Sequence, residues 1–166
     1  DLAMFAYGDS GSKTNLKNLV TNQGVVGANV TGVGTARGDL AASRYGVGLG
    51  IFGYGNTGSK VSITNLVTNV GVIGTDVSGV GTARQSLAAC TFGGDKAIFG
   101  FGKDGSNETS ITNLVSNVGV VAADTTGVGT AREKLGACSF GGDKGIFAFG
   151  VDNGGAGRVS TSNLVS

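Results

Sequence analysis

Arg84-Gln85-Ser86-Leu87-Ala88-Ala89-Cys90-Thr91-Phe92-Gly93-Gly94-Asp95-Lys96-Ala97-Ile98-Phe99-Gly100-Phe101-Gly102 is the stretch whose reading decides the fold. Leu87 to Phe92 is short, small and apolar, and it stops at Gly93-Gly94-Asp95, a turn signature suited to positive φ. That reads as a strand followed by a tight hairpin. The next segment, Lys96 to Gly102, puts Ala97, Phe99 and Phe101 on one face and Ile98 and Gly100 on the other, apolar on both sides as a buried strand is. A Gly-rich loop, Lys103 to Asn107, separates it from a β-branched third strand over Ser110 to Ser116, and a shorter fourth is expected over Val118 to Val121. No stretch keeps a 3.6-residue period, so no helix is predicted.

Outward from this stretch the pattern repeats, and a repeat decides architecture before any single element does. Gly-Thr-Ala-Arg recurs with its arginine at Arg37, Arg84 and Arg132, at intervals of 47 and 48 residues. A Leu and two small residues follow each time, at Leu40, Leu87 and Leu135. An apolar-Phe pair, then Gly or Ala, an aromatic and Gly, occurs four times, starting at Met4, Ile51, Ile98 and Ile146, and Asn-Leu-Val closes each unit at Asn18, Asn65, Asn113 and Asn163. The last interval is longer because the loop from Val151 to Gly157 carries an insertion, which belongs in a loop. One repeat domain over 1–166 is expected, divided into a partial unit 1–33, repeats 34–80 and 81–128, and a partial repeat 129–166.

Composition removes several functions. The 166 residues include 33 Gly but no His, Pro or Trp. Without imidazole there is no Ser-His-Asp or Cys-His catalytic unit, no His-bearing zinc site and no histidine pH switch. With 12 basic and 11 acidic residues the net charge is +1, too weak a field to steer the chain onto nucleic acid or an anionic membrane, and neither partner is expected. Gly far above the usual roughly 7%, without a three-residue period and without Pro, excludes collagen and assigns the glycines to turns and close packing. No run of about 18 apolar residues and no basic-then-apolar leader is visible. The chain opens at Asp1, as a processed product or a piece of a longer protein would. Cys90 and Cys138 hold the same place in successive repeats, where Ser43 stands in an earlier one, so they read as unpaired small core residues.

Four short antiparallel strands in a unit of about 47 residues match a β-propeller blade. The fold class expected is therefore all-β, a propeller of four-stranded blades of which this chain holds about 3.5. Crowding at a central channel explains Leu-Ala-Ala on the innermost strand, with Phe99 and Phe101 filling the wider space outside. A β-solenoid is the architectural alternative. The order Ala-Arg, small inner strand, Gly-rich hairpin, Lys-x-Ile-Phe strand ending in Gly, and Val-containing third strand closely resembles a Kelch repeat, with Arg84, Leu87 to Thr91, Ile98 to Gly102 and Ile111 to Val115 matching its elements. Gly100-Phe101-Gly102 departs from the family's glycine doublet, and Leu114 and Val118 or Gly119 stand near the expected Tyr and Trp. Propellers of the chromosome-condensation-regulator type share the Gly-aromatic-Gly turn. The tandem phrases Thr-Asn-Leu-Val and Gly-Val-Gly-Thr-Ala-Arg are also similar to repeats in virion proteins of marine tailed phages. A ring needs at least about four blades, so further blades or further copies of the chain are expected as partners.

The candidate ligand-binding residues are Arg37, Arg84 and Arg132, which equivalent positions place on one circle, and Asp104, Asn107, Asp152 and Asn153 in the loops after the second strand. The arginines present either a cationic ring to an acidic ligand or bonds to turn carbonyls and to an aspartate such as Asp95 or Asp143. The loops offer oxygens to a sugar or Ca²⁺, though their spacing is that of turns rather than of an acidic metal loop. Tyr7, Tyr45, Tyr54, Phe101 and Phe149 read as core rather than as sugar platforms. Asn29-Val30-Thr31 and Asn107-Glu108-Thr109 are glycosylation sequons. Regular repetition without a distinct polar cluster points to a non-enzymatic structural or binding module with no cofactor or metal, in a virion or another extracellular assembly with other virion proteins or glycans as partners. The other reading is a carbohydrate-binding lectin with one shallow site per blade. Kelch-like oxidases use copper on His ligands, which this chain lacks.

Overall fold

The computed structural model describes residues 2–152 and 157–166. The chain is all-β, a succession of small antiparallel sheets, and among the described residues no barrel or ring closes and none is helical. The first sheet contains β1 (Ala3–Asp9), β2 (Lys13–Val20) and β3 (Val30–Thr31), with β1 at its edge. The second contains β4 (Ala41–Tyr45), β5 (Leu49–Gly53) and β6 (Thr64–Val67). The third contains β7 (Ala88–Phe92) and β8 (Lys96–Gly100), then, past a two-strand hairpin of β9 (Lys103–Asp104) and β10 (Asn107–Glu108), β11 (Thr112–Val115). After β12 (Arg132–Glu133), the fourth contains β13 (Gly136–Phe140), β14 (Lys144–Ala148) and β16 (Ser162–Val165), with β15 (Val151–Asp152) pairing back to β12.

One register is repeated four times. The Phe of each Phe-centred strand faces the Asn of Asn-Leu-Val, as Phe5↔Asn18, Phe52↔Asn65, Phe99↔Asn113 and Phe147↔Asn163. In the last three sheets an inner strand pairs on the other side, with Ala42↔Phe52, Ala89↔Phe99 and Ala137↔Phe147. Among the described residues the first sheet shows no such strand. The Gly93-Gly94-Asp95 hairpin falls where the sequence puts it, between β7 and β8. The expected fourth strand is reduced to isolated bridges, Val115↔Val121 and Thr112↔Thr125 in the third repeat and Val67↔Ile73 and Thr64↔Val77 in the second. Glycines and bends between the bridging residues interrupt the ladder there.

Successive sheets pack face to face. Phe99 is seated over Gly53 so closely that a Cβ on that glycine would lie 2.7 Å from the ring, and Phe147 covers Gly100 in the same way at 2.9 Å. Met4, Ala6 and Tyr7 of the first sheet pack against the cluster of Phe52, Val67 and Ile73. Ala97 and Phe99 belong to the core shared with the second repeat, while Ile98 and Phe101 belong to the core shared with the fourth. Phe99 and Phe101 therefore point to opposite sides, against the simple alternation the sequence suggests. The cause is the backbone: Phe101 has φ 63° and Gly102 φ 101°, so the strand ends at Gly100 and the aromatic swings across.

Candidate functional site

The aromatic at that turn is the centre of the joint between repeats. Tyr7, Tyr54, Phe101 and Phe149 all have φ between 62° and 65°, a left-handed conformation that costs a non-glycine residue about 1–2 kcal/mol. Three of them hold the arginine of the following repeat: the guanidinium carbon of Arg37 lies 4.2 Å from the Tyr7 ring centroid, Arg84 4.2 Å from Tyr54, and Arg132 4.0 Å from Phe101. A planar, weakly hydrated guanidinium stacks well on a ring, and such a contact contributes about 0.5–2 kcal/mol. The same rings meet the next repeat's Phe at 5.2–5.4 Å, as Tyr7–Phe52, Tyr54–Phe99 and Phe101–Phe147. Backbone bonds complete the joint: the N–H groups of Gly8, Gly55 and Gly102 donate to the carbonyls of Arg37, Arg84 and Arg132 at 2.9–3.0 Å.

Within its own repeat each arginine closes the loop that carries it. Arg37 donates from Nε to the Tyr54 carbonyl at 2.9 Å and from Nη2 to Asn65 Oδ1 at 2.7 Å. Asn65 in turn donates to Asp76 Oδ1 at 2.8 Å, and Asp76 accepts the N–H of Thr35 from the Gly-Thr-Ala-Arg phrase at 3.0 Å. The next repeat keeps most of this, with Arg84 Nε to Phe101 O at 2.9 Å, Asn113 to Asp124 at 2.9 Å and the Thr82 hydroxyl to Asp124 at 2.7 Å, but Arg84 Nη2 and Asn113 Oδ1 are not hydrogen-bonded there. Desolvation works against the Asp76 and Asp124 carboxylates, but the Thr and Asn donors and the nearby arginine outweigh it and hold both below the ordinary aspartate range. Burial pushes the Tyr7 and Tyr54 phenols up against the opposing pull of Arg37 and Arg84.

All three candidate arginines are thus fully buried, 0% exposed, and their donors point to carbonyls and ring faces inside the molecule. The carboxylate near Arg37 is Asp76 and those near Arg84 are Asp124 and, more weakly, the candidate Asp104, whereas Asp95 and Asp143 form ion pairs with Lys96 and Lys144. Asp104 and Asn107 sit opposite each other in the β9–β10 hairpin, beside the Lys103–Glu108 ion pair at 3.3 Å. Asp152 faces Arg132 across the β12–β15 pair. Asn153 lies outside the described residues. Among the described residues the loop of Asp104 and Asn107 and that of Asp152 form no common cluster, and the former accepts a bond from Lys60 Nζ of the preceding repeat at the Gly105 carbonyl, 2.7 Å. Tyr45, Tyr54 and Phe101 are buried, Tyr7 is half-buried and Phe149 is exposed. Cys90 is buried and Cys138 exposed, both free, and burial foremost pushes the Cys90 thiol up to about 11. Among the described residues no three of Cys, Asp and Glu stand close enough to share a metal ion.

Sequence reasoning passed over Asn65, Asp76, Asn113 and Asp124. Their signal was a constant spacing of 11 residues, which recurs as Asn18 and Asn29 in the first repeat, where the two amides bond at 2.8 Å. The stacking partner of each arginine was likewise legible as an aromatic 30 or 31 residues earlier. In comparisons with known proteins, no family model and no curated protein matches the chain.

Proposed function

We propose that the chain is a non-enzymatic assembly module, a run of Kelch-like propeller blades in a virion or another extracellular structure, whose partners are further copies of itself. The observation that carries this reading is the joint. The buried arginines and the aromatic rings beneath them are used to hold repeats together, and the two halves of the same joint stand exposed on the first and last sheets. Phe5, the equivalent of Phe52, is 65% exposed on the first sheet. On the last sheet Ala148 is the small-residue socket and Phe149 the ring, 63% exposed, that such a Phe meets inside the molecule. Leu164, 61% exposed, is the equivalent of Leu19 and Leu66, which lie against Gly71 and Gly119, and Gly24 on the first repeat has nothing over it. A heterologous, head-to-tail contact of this kind gives a ring where the rotation closes.

The test is sedimentation of complementary variants. Phe5→Asp leaves only the last face competent, and Ala148→Trp only the first. Wild type is expected to self-associate, each variant alone to stay monomeric, and their mixture to form a one-to-one dimer. A monomeric wild type, or variants that associate as it does, refutes the reading. Small-angle scattering of the monomer tests the propeller geometry, with an arc expected and a straight rod refuting it.

A further inference from the structure

We infer that the valine-bearing outer edge of the repeats is a lateral interface, on which a second copy of this chain lies side by side, edge against edge. This does not rest on the head-to-tail contact.

The segments that follow Asn-Leu-Val, residues 21–34, 68–81 and 116–129, hold eleven of the twelve exposed valines among the described residues. Val25, Val72 and Val120 form one row and Val33, Val80 and Val128 another, each at the repeat interval. Their exposure is not a property of the chain ends. The second repeat has a neighbour on either side, and its Val70 and Val72 are still 64% and 54% exposed. Further repeats before or after extend the array and leave this edge open. The segments also lie along one side of the array: a Cβ on Gly71 would lie 2.5 Å from Leu19 of the preceding repeat, and one on Gly119 3.0 Å from Leu66.

The backbone is open at the same edge. The Thr68 N–H donates to the Val72 carbonyl at 2.9 Å and the Gly74 N–H to the Leu66 carbonyl at 2.8 Å, which turns the N–H and C=O of Ile73 outward between them. Val26 and Val121 are held in the same way. Sheet edges that face water are normally guarded by Lys, Pro or other charges. These segments contain no Lys, Arg, Glu or Pro, and their two aspartates, Asp76 and Asp124, are engaged with Thr35 and Thr82.

Spacing, charge and area select the occupant. Rows repeated at one interval are met along their length by an object with the same interval, and a second copy has it. An edge without free charge can face its own like, and a two-fold contact sets the second repeat against itself and the first against the third. A lipid surface fits less well, because the segments lack the Trp, Tyr, Lys and Arg that anchor at headgroups. The valines expose roughly 900 Å², close to the ~800 Å² that each partner gives a standard interface. Valine is under-represented among hot-spot residues, so the contact is weak for its area, with a Kd of about 0.1–1 mM between single chains. At micromolar concentration the single chain is therefore monomeric, and chains already joined end to end gain by avidity.

The test uses the intact chain carrying Phe5→Asp, which removes the head-to-tail contact, or Ala148→Trp where the first variant does not fold. Sedimentation equilibrium up to about 2 mM is expected to show monomer passing to dimer with a Kd of about 0.1–1 mM. Val72→Lys together with Val120→Lys should weaken the dimer at least about tenfold. Val47→Lys, at the exposed valine outside the edge, should leave it unchanged. The lysine variant mixed with Val72→Asp/Val120→Asp should pair more tightly than either does alone, because the same face meets itself. Absence of dimer at about 2 mM, a lysine variant that associates as its parent does, or an equal loss from Val47→Lys overturns the interface. Tighter binding to neutral phosphatidylcholine vesicles than to a second copy overturns it in favour of a lipid surface. A wild type without the head-to-tail contact refutes that contact and leaves these expectations unchanged.

Discussion

Replacing Arg84 by Met tests the joint most directly, because Met keeps an unbranched apolar stem and removes the guanidinium. The arginine is fully buried, bonds the Phe101 carbonyl at 2.9 Å and the Thr82 carbonyl at 3.2 Å, and lies 4.2 Å over the Tyr54 ring. Two charge-assisted bonds at about 1.5–3 kcal/mol each and a stack of about 0.5–2 kcal/mol give a gross contribution of about 3.5–8 kcal/mol. Against it stands the desolvation cost of the cation, a few kcal/mol, which Met recovers. The expected net loss is about 3 kcal/mol, a large part of the roughly 5–15 kcal/mol that holds a domain folded. Urea titration followed by far-ultraviolet circular dichroism measures it. A double-mutant cycle with Tyr54→Leu should return a coupling of about 0.5–2 kcal/mol, and one with Tyr7→Leu, which belongs to the Arg37 joint, none. A loss under about 1 kcal/mol, or equal coupling to both tyrosines, would refute the reasoning.

Gly100→Val places a branched side chain where Phe147 already lies within 2.9 Å of an added Cβ, and thermal unfolding should show a loss of about 1–3 kcal/mol. Gly100→Ala should cost less, since Ala6 stands at the equivalent position of the first sheet and packs against the cluster that contains Phe52. Asp76 and Asp124 have folded pKa values below their unfolded ones, so their contribution is present above the ordinary aspartate pKa and is lost as pH falls from about 4 through the lowered values. Asp124→Asn should therefore lower stability at neutral pH and flatten the acid side of the stability profile, as unfolding midpoints at several pH values will show. A thiol reagent at pH 8 should modify Cys138 quickly in the native chain and Cys90 only on unfolding, because a thiol at about 11 is roughly one part in a thousand thiolate there. Quantitative reaction at both sites before unfolding contradicts the burial of Cys90.

The strands and their hairpins were legible because alternation and Gly-Gly-Asp are local signals. The direction of Phe101 was not, because alternation assumes extended backbone and the residue sits at φ 63°. The arginines were found as a motif, but whether they meet solvent or an aromatic ring depends on how sheets stack, which no window within one repeat contains. Asp76 escaped notice for a different reason. It lies in the irregular outer segment, where hydrophobic period carries little information, and only its fixed distance from Asn65 marks it. The loop candidates Asp104 and Asp152 lie in the segments after the second strand, as their turn residues indicate, and what one sequence does not reveal is that Asp104 stands near Arg84 and Asp152 opposite Arg132.

The ring that strains each turn and the arginine that covers it are 30 or 31 residues apart, always with the ring first. On a ribosome adding about 5–20 residues per second, a turn is made roughly 2–6 seconds before its latch emerges. Each repeat therefore waits, half-secured, for the next to be synthesised, and maturation travels along the chain as a wave one unit behind elongation. Phe149 shows what such a turn is before its latch is in place, in the same left-handed conformation as its three counterparts but with its face uncovered.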